Sequence, residues 1–383
     1  MLAENYHSAV IDRIKAEDYT YQVGRLTIHL AREFGFCYGV DRAVDYAYQT
    51  RERFPDRPVY LTGEIIHNPH VNEKLRGMGV RFLSDDPSRT DQLGPNDVVI
   101  LPAFGVTVAS LQQFMRHGCT LIDTTCGSVL NVWKNVKRYA DGGYTSVIHG
   151  KVWHEETQAT ASQAVEFGGR YLVVFDEPET GLVCDYIRGL GAPKPSGEGG
   201  GDRAAFMAKF SSAASPGFDP DRDLQHIGLA NQTTMLMSES LQIGEMLKKA
   251  MVDRFGTGDL DARYQAFDTI CSATQDRQDA VVRLLEEKPV DLMIVIGGYN
   301  SSNTANLARI CAAAKPTFHI ADPDCLVSPA EIRHRAVGSK HETTMRDWLP
   351  ADRPVVVGLT SGASTPDNLV GAVVAKLEAF TTT

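Results

Sequence analysis

Residues 291–310, DLMIVIGGYNSSNTANLARI, pass from an unbroken apolar run through a glycine-rich turn into a helical pattern. The run Asp291–Ile296 is dominated by aliphatic side chains, as a strand covered on both faces must be. After the turn, Leu307, Ile310, Cys311 and Ala314 recur at the spacing of one helix face. A strand that turns directly into a helix is the unit from which parallel α/β sheets are built.

The same unit recurs along the chain. Strand-like runs stand at Arg25–Leu30, Val59–Leu61, Asp97–Leu101, Cys119–Asp123, Ser146–His149, Tyr171–Phe175, Thr317–Ile320 and Val355–Leu359, with amphipathic stretches between them. After Cys37, for example, Val40, Ala43, Val44 and Ala47 share a helix face. The pattern predicts an α/β fold with parallel sheets. At 383 residues the chain exceeds the size at which one core stops growing, so two or three domains are expected. No short-period repeat is visible. Cys37, Cys126 and Cys271, however, each end a strand-like run and precede a helix-like one, which suits three similar α/β lobes meeting at a centre. One segment, 188–224, breaks the pattern. Its first half is too rich in Gly, Pro and Ser to build a core and reads as an exposed insertion.

Hydrophobic residues make up 43% of the chain and charged residues 22%, the balance of an ordinary globular protein, and the formal net charge is −10. That charge argues against a nucleic-acid partner, because phosphate backbones select basic surfaces. It leaves room for a small anion bound locally by backbone amides. No run approaches the ~18 apolar residues of a membrane helix. The first two dozen residues mix acids with bases and lack an apolar signal core, so a cytoplasmic location is expected. The seven cysteines are odd in number and widely spaced, with no CxxC pair. That pattern speaks against a disulfide framework and against a local zinc ribbon. Metal-binding cysteines here would have to converge from distant segments.

Three cysteines have comparable settings: Cys37 in FGFCYGVDRA, Cys126 in LIDTTCGS and Cys271 in FDTICSAT. Strand carboxyl ends are where α/β folds hold ligands, and a following helix stabilises a thiolate there. Three thiolates on a four-iron cluster leave one iron open to substrate. Spacing alone favours the plainer role of small buried hydrophobes, the role given to Cys119, Cys184, Cys311 and Cys325. Ser301, Ser302 and Asn303 stand at a helix start. So does Ser364 in VVVGLTSGASTPDNLVGAVV, where Thr365 suits the cap and Pro366 the first helical position. Hydroxyls, an amide and free N–H groups make a phosphate-sized anion site, although N-capping accounts for either junction taken singly. His67 in GEIIHNPHVNEKL and His154 in IHGKVWHEETQATA can donate to a diphosphate oxygen. Glu155 and Glu156 offer a carboxylate for proton delivery. Each histidine alone is more often a surface or satisfied core residue, and Thr233 in ANQTTML is ordinarily a strand or cap hydroxyl. No Walker loop, GxGxxG fingerprint or HExxH helix is present.

Taken together, nine blocks in order resemble the IspH/LytB family of 4-hydroxy-3-methylbut-2-enyl diphosphate reductases, the last enzymes of the non-mevalonate isoprenoid pathway. They are GFCYGVDRAV, GEIIHNPHVNEKL, LPAFGV, DTTC, IHGKVWHEETQATA, ANQTTM, FDTICSATQDRQDA, YNSSNTANLA and SGASTPDNLV. The resemblance runs from about Arg25 to the C-terminus, and the LPAFG block and the insertion are similar to the plant and cyanobacterial branch. It implies a three-lobed α/β trefoil with parallel sheets around a central [4Fe–4S] cluster. The lobes would be 25–126, 127–267 and 268–383, after an extension 1–24 outside the resemblance, with Cys37 packing towards the third lobe. Cys37, Cys126 and Cys271 would hold the cluster. His67, His154, Ser301, Ser302, Asn303 and Ser364 would bind the diphosphate of a small allylic substrate. Glu156 matches the family's proton-delivering acid and Thr233 its hydroxyl-orienting threonine. With no flavin or nicotinamide motif in the chain, electrons would come from an external carrier such as ferredoxin or flavodoxin. Two positions depart from the family. Phe104 stands where many bacterial members have a diphosphate-binding histidine, and Gly127 replaces the usual proline after the second cysteine. Two other functions are open to the same residues: a non-redox iron–sulfur dehydratase, which needs no reductant, and a non-enzymatic metal-binding protein.

Overall fold

Each strand-like run of the sequence forms a strand, because each is a short aliphatic run closed by polar or glycine-rich residues. In the computed structural model, which describes residues 5–189, 203–267 and 269–381, their ends shift by two residues at most. The strands, in chain order, begin with β1 (Thr20–Val23), β2 (Leu26–Leu30), β3 (Val59–Leu61), β4 (Arg81–Phe82) and β5 (Val98–Leu101). Next come β6 (Thr120–Asp123), β7 (Thr145–His149), β8 (Arg170–Val174), β9 (Ile227–Asn231) and β10 (Tyr264–Ala266). The last are β11 (Leu292–Ile296), β12 (Thr317–Ile320), β13 (Leu326–Ser328), β14 (Glu331–His334), β15 (Thr343–Arg346) and β16 (Val355–Ser361). They fall into two units, one of Met1–Gln92, Asp97–Ala103 and Ser272–Thr383, the other of Leu93–Asn96 and Phe104–Cys271.

The main sheet of the first unit has the order β1-β2-β16-β11-β12, parallel except for β1. Both faces are covered, which is why β11 is apolar throughout. On one side Ile294, Val357 and Ile28 pack with Val370, Val373 and Leu377 of helix Asp367–Ala379. On the other, Met293 and Val295 meet Leu307 and Cys311 of helix Ser302–Ala312 and Val281 of helix Ser272–Glu287. The early strand β2 lies beside β16, so Leu26–Leu30 belongs to the sheet of the C-terminal strands. Ahead of it, helix Ala9–Ala16 sends Ile11 and Ile14 into the same core, capped by Ser8. The N-terminal residues beyond the family resemblance are therefore core structure from Ser8 onward, and 1–4 lie outside the described residues. A parallel set β4-β3-β5 and a small antiparallel sheet β13-β14-β15 complete this unit.

The second unit is built on a wholly parallel sheet, β10-β9-β7-β8. Two of its strands were not expected from the sequence, the edge strand β10 and the inner strand β9. Gly228 interrupts the aliphatic run because the Tyr139 ring lies where a side chain would stand, and Tyr139 donates its hydroxyl to the Leu229 carbonyl at 2.6 Å. The insertion expected as exposed at 188–224 needs correction in its second half. Residues 190–202 lie outside the described residues, but helix Arg203–Phe210 buries Phe206 and Phe210 in the core with Phe218 and Leu224. Two aromatic rings supply the apolar area that the Gly-rich first half lacks. No helix among the described residues is long and apolar enough to cross a membrane.

Two buried histidines make the fold sensitive to acid. His149, at the end of β7, pairs Nδ1 with Ser240 Oγ at 2.8 Å, and His319, on β12, donates Nε2–H to the Gly297 carbonyl at 2.9 Å. Burial lowers the pKa of both to about 4. The unfolded chain binds these protons near pH 6.5, the folded one only near 4, so stability is complete above 6.5 and is lost as the pH falls towards 4. The loss approaches about 3 kcal/mol for each histidine. Denaturant titrations between pH 7 and 4 are expected to show this decline. His319→Gln, which can still donate to Gly297, is expected to remove one histidine's share of it.

Candidate active site

In the first unit, two strand–helix junctions lie side by side because β11 and β16 are parallel neighbours with Ile296 opposite Ser361. Gly297, at φ 148°, turns the chain out of β11 where Thr304 and Thr365 leave no room for a side chain. Ser301 then caps helix Ser302–Ala312, its Oγ accepting from the Thr304 N–H at 3.3 Å. Asn303 joins the junctions: Oδ1 accepts from the Ala363 N–H at 3.0 Å and Nδ2 donates to Thr274 Oγ1 at 3.3 Å. Ser364 donates to the His67 carbonyl at 3.3 Å, and its own carbonyl accepts from Asn68 Nδ2 at 2.8 Å. The four candidate residues Ser301, Ser302, Asn303 and Ser364 are all buried. His67 is brought to them, with Nδ1 2.8 Å from a Glu64 oxygen that also accepts from Asn300 at 2.6 Å. Cys37 is tied to the same place by its backbone, its N–H donating to the Ala363 carbonyl at 3.1 Å. The expected capping by Thr365 is not formed. Pro366 takes the cap position and the Thr365 hydroxyl turns back to the Ile296 carbonyl at 3.1 Å, closing the sheet end instead.

In the second unit the acid and the threonine meet. His154 caps helix Glu155–Glu166, with Nδ1 accepting from the Glu156 N–H at 3.2 Å. Glu155 is exposed, whereas Glu156 is only 2% exposed. Both oxygens of Glu156 accept from Thr233, one from its N–H at 2.6 Å and one from its hydroxyl at 3.0 Å. A buried carboxylate needs such donors, and charged acceptors make the stronger hydrogen bonds. The two loops are held together by Gln232, whose Oε1 accepts from Lys151 N–H and Thr157 Oγ1, both at 3.1 Å. Cys271 is tied in turn, its N–H donating to the Thr233 carbonyl at 3.2 Å. Phe104 packs edge-on to His154 with ring centroids 6.2 Å apart. It offers no hydrogen-bond donor and instead walls one side of the imidazole.

All three candidate cysteines stand one residue ahead of a helix: Tyr38–Arg53, Gly127–Asp141 and Ser272–Glu287. Each is partly exposed and outside any disulfide, while Cys184, Cys311 and Cys325 are buried. Burial pushes the Cys184 thiol up to about 11 and the Cys311 thiol to about 12, as expected of inert core residues. Several supporting residues escaped the sequence reading, among them Glu64, Asn68, Thr274, Gln232 and His319. Most of their partners are backbone atoms or side chains far along the chain, Glu64 with its neighbour His67 excepted, so little local spacing marks them. Only the recurrence of Asn and Gln at strand ends was available as a signal.

The chain matches the family model described as LytB protein over residues 28–378. It is 48% identical to the 4-hydroxy-3-methylbut-2-enyl diphosphate reductase of Thermosynechococcus vestitus, covering 99% of this chain and 91% of that one. It is also 48% identical to the reductase of the same name from Gloeobacter violaceus, over 98% and 88% of the two chains. Among solved structures it is similar to (E)-4-hydroxy-3-methyl-but-2-enyl diphosphate reductase, the terminal enzyme of the non-mevalonate pathway, at 26% identity and a TM-score of 0.53 over 92% and 99% of the chains. The E-1-hydroxy-2-methyl-but-2-enyl-4-diphosphate reductase of Plasmodium falciparum shares the fold, at 22% identity and a TM-score of 0.62 over 93% and 90%.

Two substitutions probe this geometry. Thr233→Val removes the hydroxyl from a buried carboxylate oxygen and is expected to cost roughly 1–3 kcal/mol in thermal unfolding, with Thr233→Ser restoring most of it. Gly127 is the first residue of its helix, with nothing near its side-chain position, and Cys126 before it has the extended φ −65°, ψ 142° that a following proline requires. Gly127→Pro is therefore expected to stabilise the protein by about 0.4–1 kcal/mol in the same measurement.

Proposed function

Because the chain belongs to the LytB family, we propose that it reduces 4-hydroxy-3-methylbut-2-enyl diphosphate, with two electrons and two protons, to isopentenyl and dimethylallyl diphosphates and water. The observation that carries this reading is 48% identity, along essentially the whole chain, to reductases of that substrate. In this reading Cys37, Cys126 and Cys271 hold a [4Fe–4S] cluster. The donor set suits it: three thiols outside any disulfide, each at the positive end of a helix. Such a cluster, when bound, supplies a Lewis-acidic iron for the substrate hydroxyl and a path for single electrons from a ferredoxin or flavodoxin. The enzyme works in the cytoplasm.

The rest falls to the chain's own side chains. Ser301, Ser302, Asn303 and Ser364 bind the diphosphate with short, buried donors at a helix start, and His67 and His154 add imidazole N–H groups. This hold on the distal end fixes where the hydroxyl lies, which is catalysis by positioning. Phe104 removes one further imidazole from that set, leaving His67 and His154 to carry it. Glu156 delivers protons and Thr233 orients the substrate hydroxyl. Since the Thr233 hydroxyl bonds a Glu156 oxygen directly, a proton taken up on that oxygen has a one-step path through Thr233 Oγ1.

Anaerobic purification with iron and sulfide determination, followed by product analysis with and without a reductant, tests the function. A four-iron chromophore and strictly reductant-dependent C5 diphosphates are expected. Products formed without reductant would indicate a dehydratase, and zinc or no metal would remove the redox reading. Glu156→Gln is expected to retain iron and substrate affinity while kcat falls at least ~100-fold. Near-normal turnover in that variant would eliminate Glu156 as the proton donor.

A further inference from the structure

Arg277 lies in the block FDTICSATQDRQDA, on the second turn of helix Ser272–Glu287, and no role described so far uses it. Its side chain is only 4% exposed. Nη1 donates to the Ala273 carbonyl and Nη2 to the Gly35 carbonyl, both at 2.8 Å, while Nε is buried without a partner. Neither acceptor is a carboxylate, and among the described residues no ion pair forms to this guanidinium. A guanidinium cannot shed its charge, so a buried one without a counter-ion is a strong cost to the fold unless an anion balances it.

Its two acceptors show where that anion belongs. Gly35 precedes Cys37 by two residues and Ala273 follows Cys271 by two. The segment leading to Cys37 is gripped from several sides. Gly35, at φ 82° and pressed against Asp367, donates its N–H to Ser361 Oγ at 3.0 Å and accepts from Arg277. The Cys37 N–H is held by Ala363, Ala363 by Asn303, and Asn303 by Thr274, one turn before Arg277 on the same helix. The opening turns of helix Ser272–Glu287 thus fix the backbone around Cys37 twice, once through Arg277 and once through Thr274.

We propose that Arg277 is a positioning residue whose two hydrogen bonds set the Cys37 and Cys271 segments and whose charge balances the anionic, cysteine-held cluster. The inference rests on the iron–sulfur reading above. Reduction adds an electron to a group that is already anionic, so a fixed buried cation nearby favours the reduced state and raises the midpoint potential. Loss of the planar hydrogen-bonding fork alone would shift the potential as much in Arg277→Lys as in Arg277→Gln.

The test compares Arg277→Gln, which keeps an amide donor and loses the charge, with Arg277→Lys, which keeps the charge and loses the planar fork. Midpoint potentials of the cluster-loaded proteins are read by anaerobic redox titration, and iron and sulfide are determined in the wild type first. Wild-type protein without a cluster would overturn the iron–sulfur reading itself, and this inference with it. With a cluster present, Arg277→Gln is expected to weaken one-electron reduction at least tenfold, a midpoint shift of about 59 mV to more negative values, while Arg277→Lys shifts clearly less. A wild-type potential in Arg277→Gln, or equal shifts in both variants, would overturn the inference. If Arg277→Gln cannot keep its cluster long enough for titration, the rate of iron loss to a chelator takes its place. Slower loss from Arg277→Lys than from Arg277→Gln then supports the charge, and equal rates overturn it.

Discussion

The parallel pairing of Leu292–Ile296 with Val357–Ser361 is the constraint on which the first unit's candidate residues depend. Neighbouring parallel strands end at the same edge, so the loops that leave them must run side by side. That adjacency lets one short amide, Asn303, bond the backbone of the other loop at Ala363, and Ala363 in turn hold the Cys37 backbone. A slip of the register by one residue would separate these partners.

The second unit repeats the device with different chemistry. His149 lies opposite Asn231 in the parallel pair of β7 and β9, so the loop to His154 and the loop through Thr233 leave the sheet together. Gln232 bonds across them, and the carboxylate of Glu156 accepts both Thr233 donors. Burial gives these contacts their weight: a carboxylate withdrawn from water must find donors in the protein, and a rigid strand end supplies them in one geometry. In both units a polar side chain is made useful by being sealed away and satisfied on one side. The same logic makes Arg277 stand out, because among the described residues no carboxylate pairs with its guanidinium.

The departures from the family follow from local geometry. Phe104 packs edge-on against the His154 ring, an apolar wall with no hydrogen-bond donor. Gly127 occupies a helix start with open space around it, where glycine meets no steric demand and serves only as the more flexible alternative to proline. The helix Arg203–Phe210 shows a composition rule reaching its limit. A Gly- and Ser-rich neighbourhood does not prevent Phe206 and Phe210 from entering the core of the second unit.

The strand runs, the helix starts at Cys37, Cys126 and Ser302, and the family were legible in the amino-acid sequence, because each depends on residues close together in the chain or on blocks that survive as blocks. The α/β class followed from periodicity, and the candidate site residues were proposed from motif position. Strand β9 stayed hidden because its glycine, Gly228, is explained only by Tyr139, 89 positions earlier in the chain. Tertiary structure alone decided that the Thr365 hydroxyl faces Ile296 rather than the helix it precedes, that Glu156 and not Glu155 is buried, and that Arg277 reaches Gly35. These are choices between equally good local options. They are settled by which distant backbone donor or acceptor the packed sheets bring within about 3 Å, a quantity that sequence spacing does not contain.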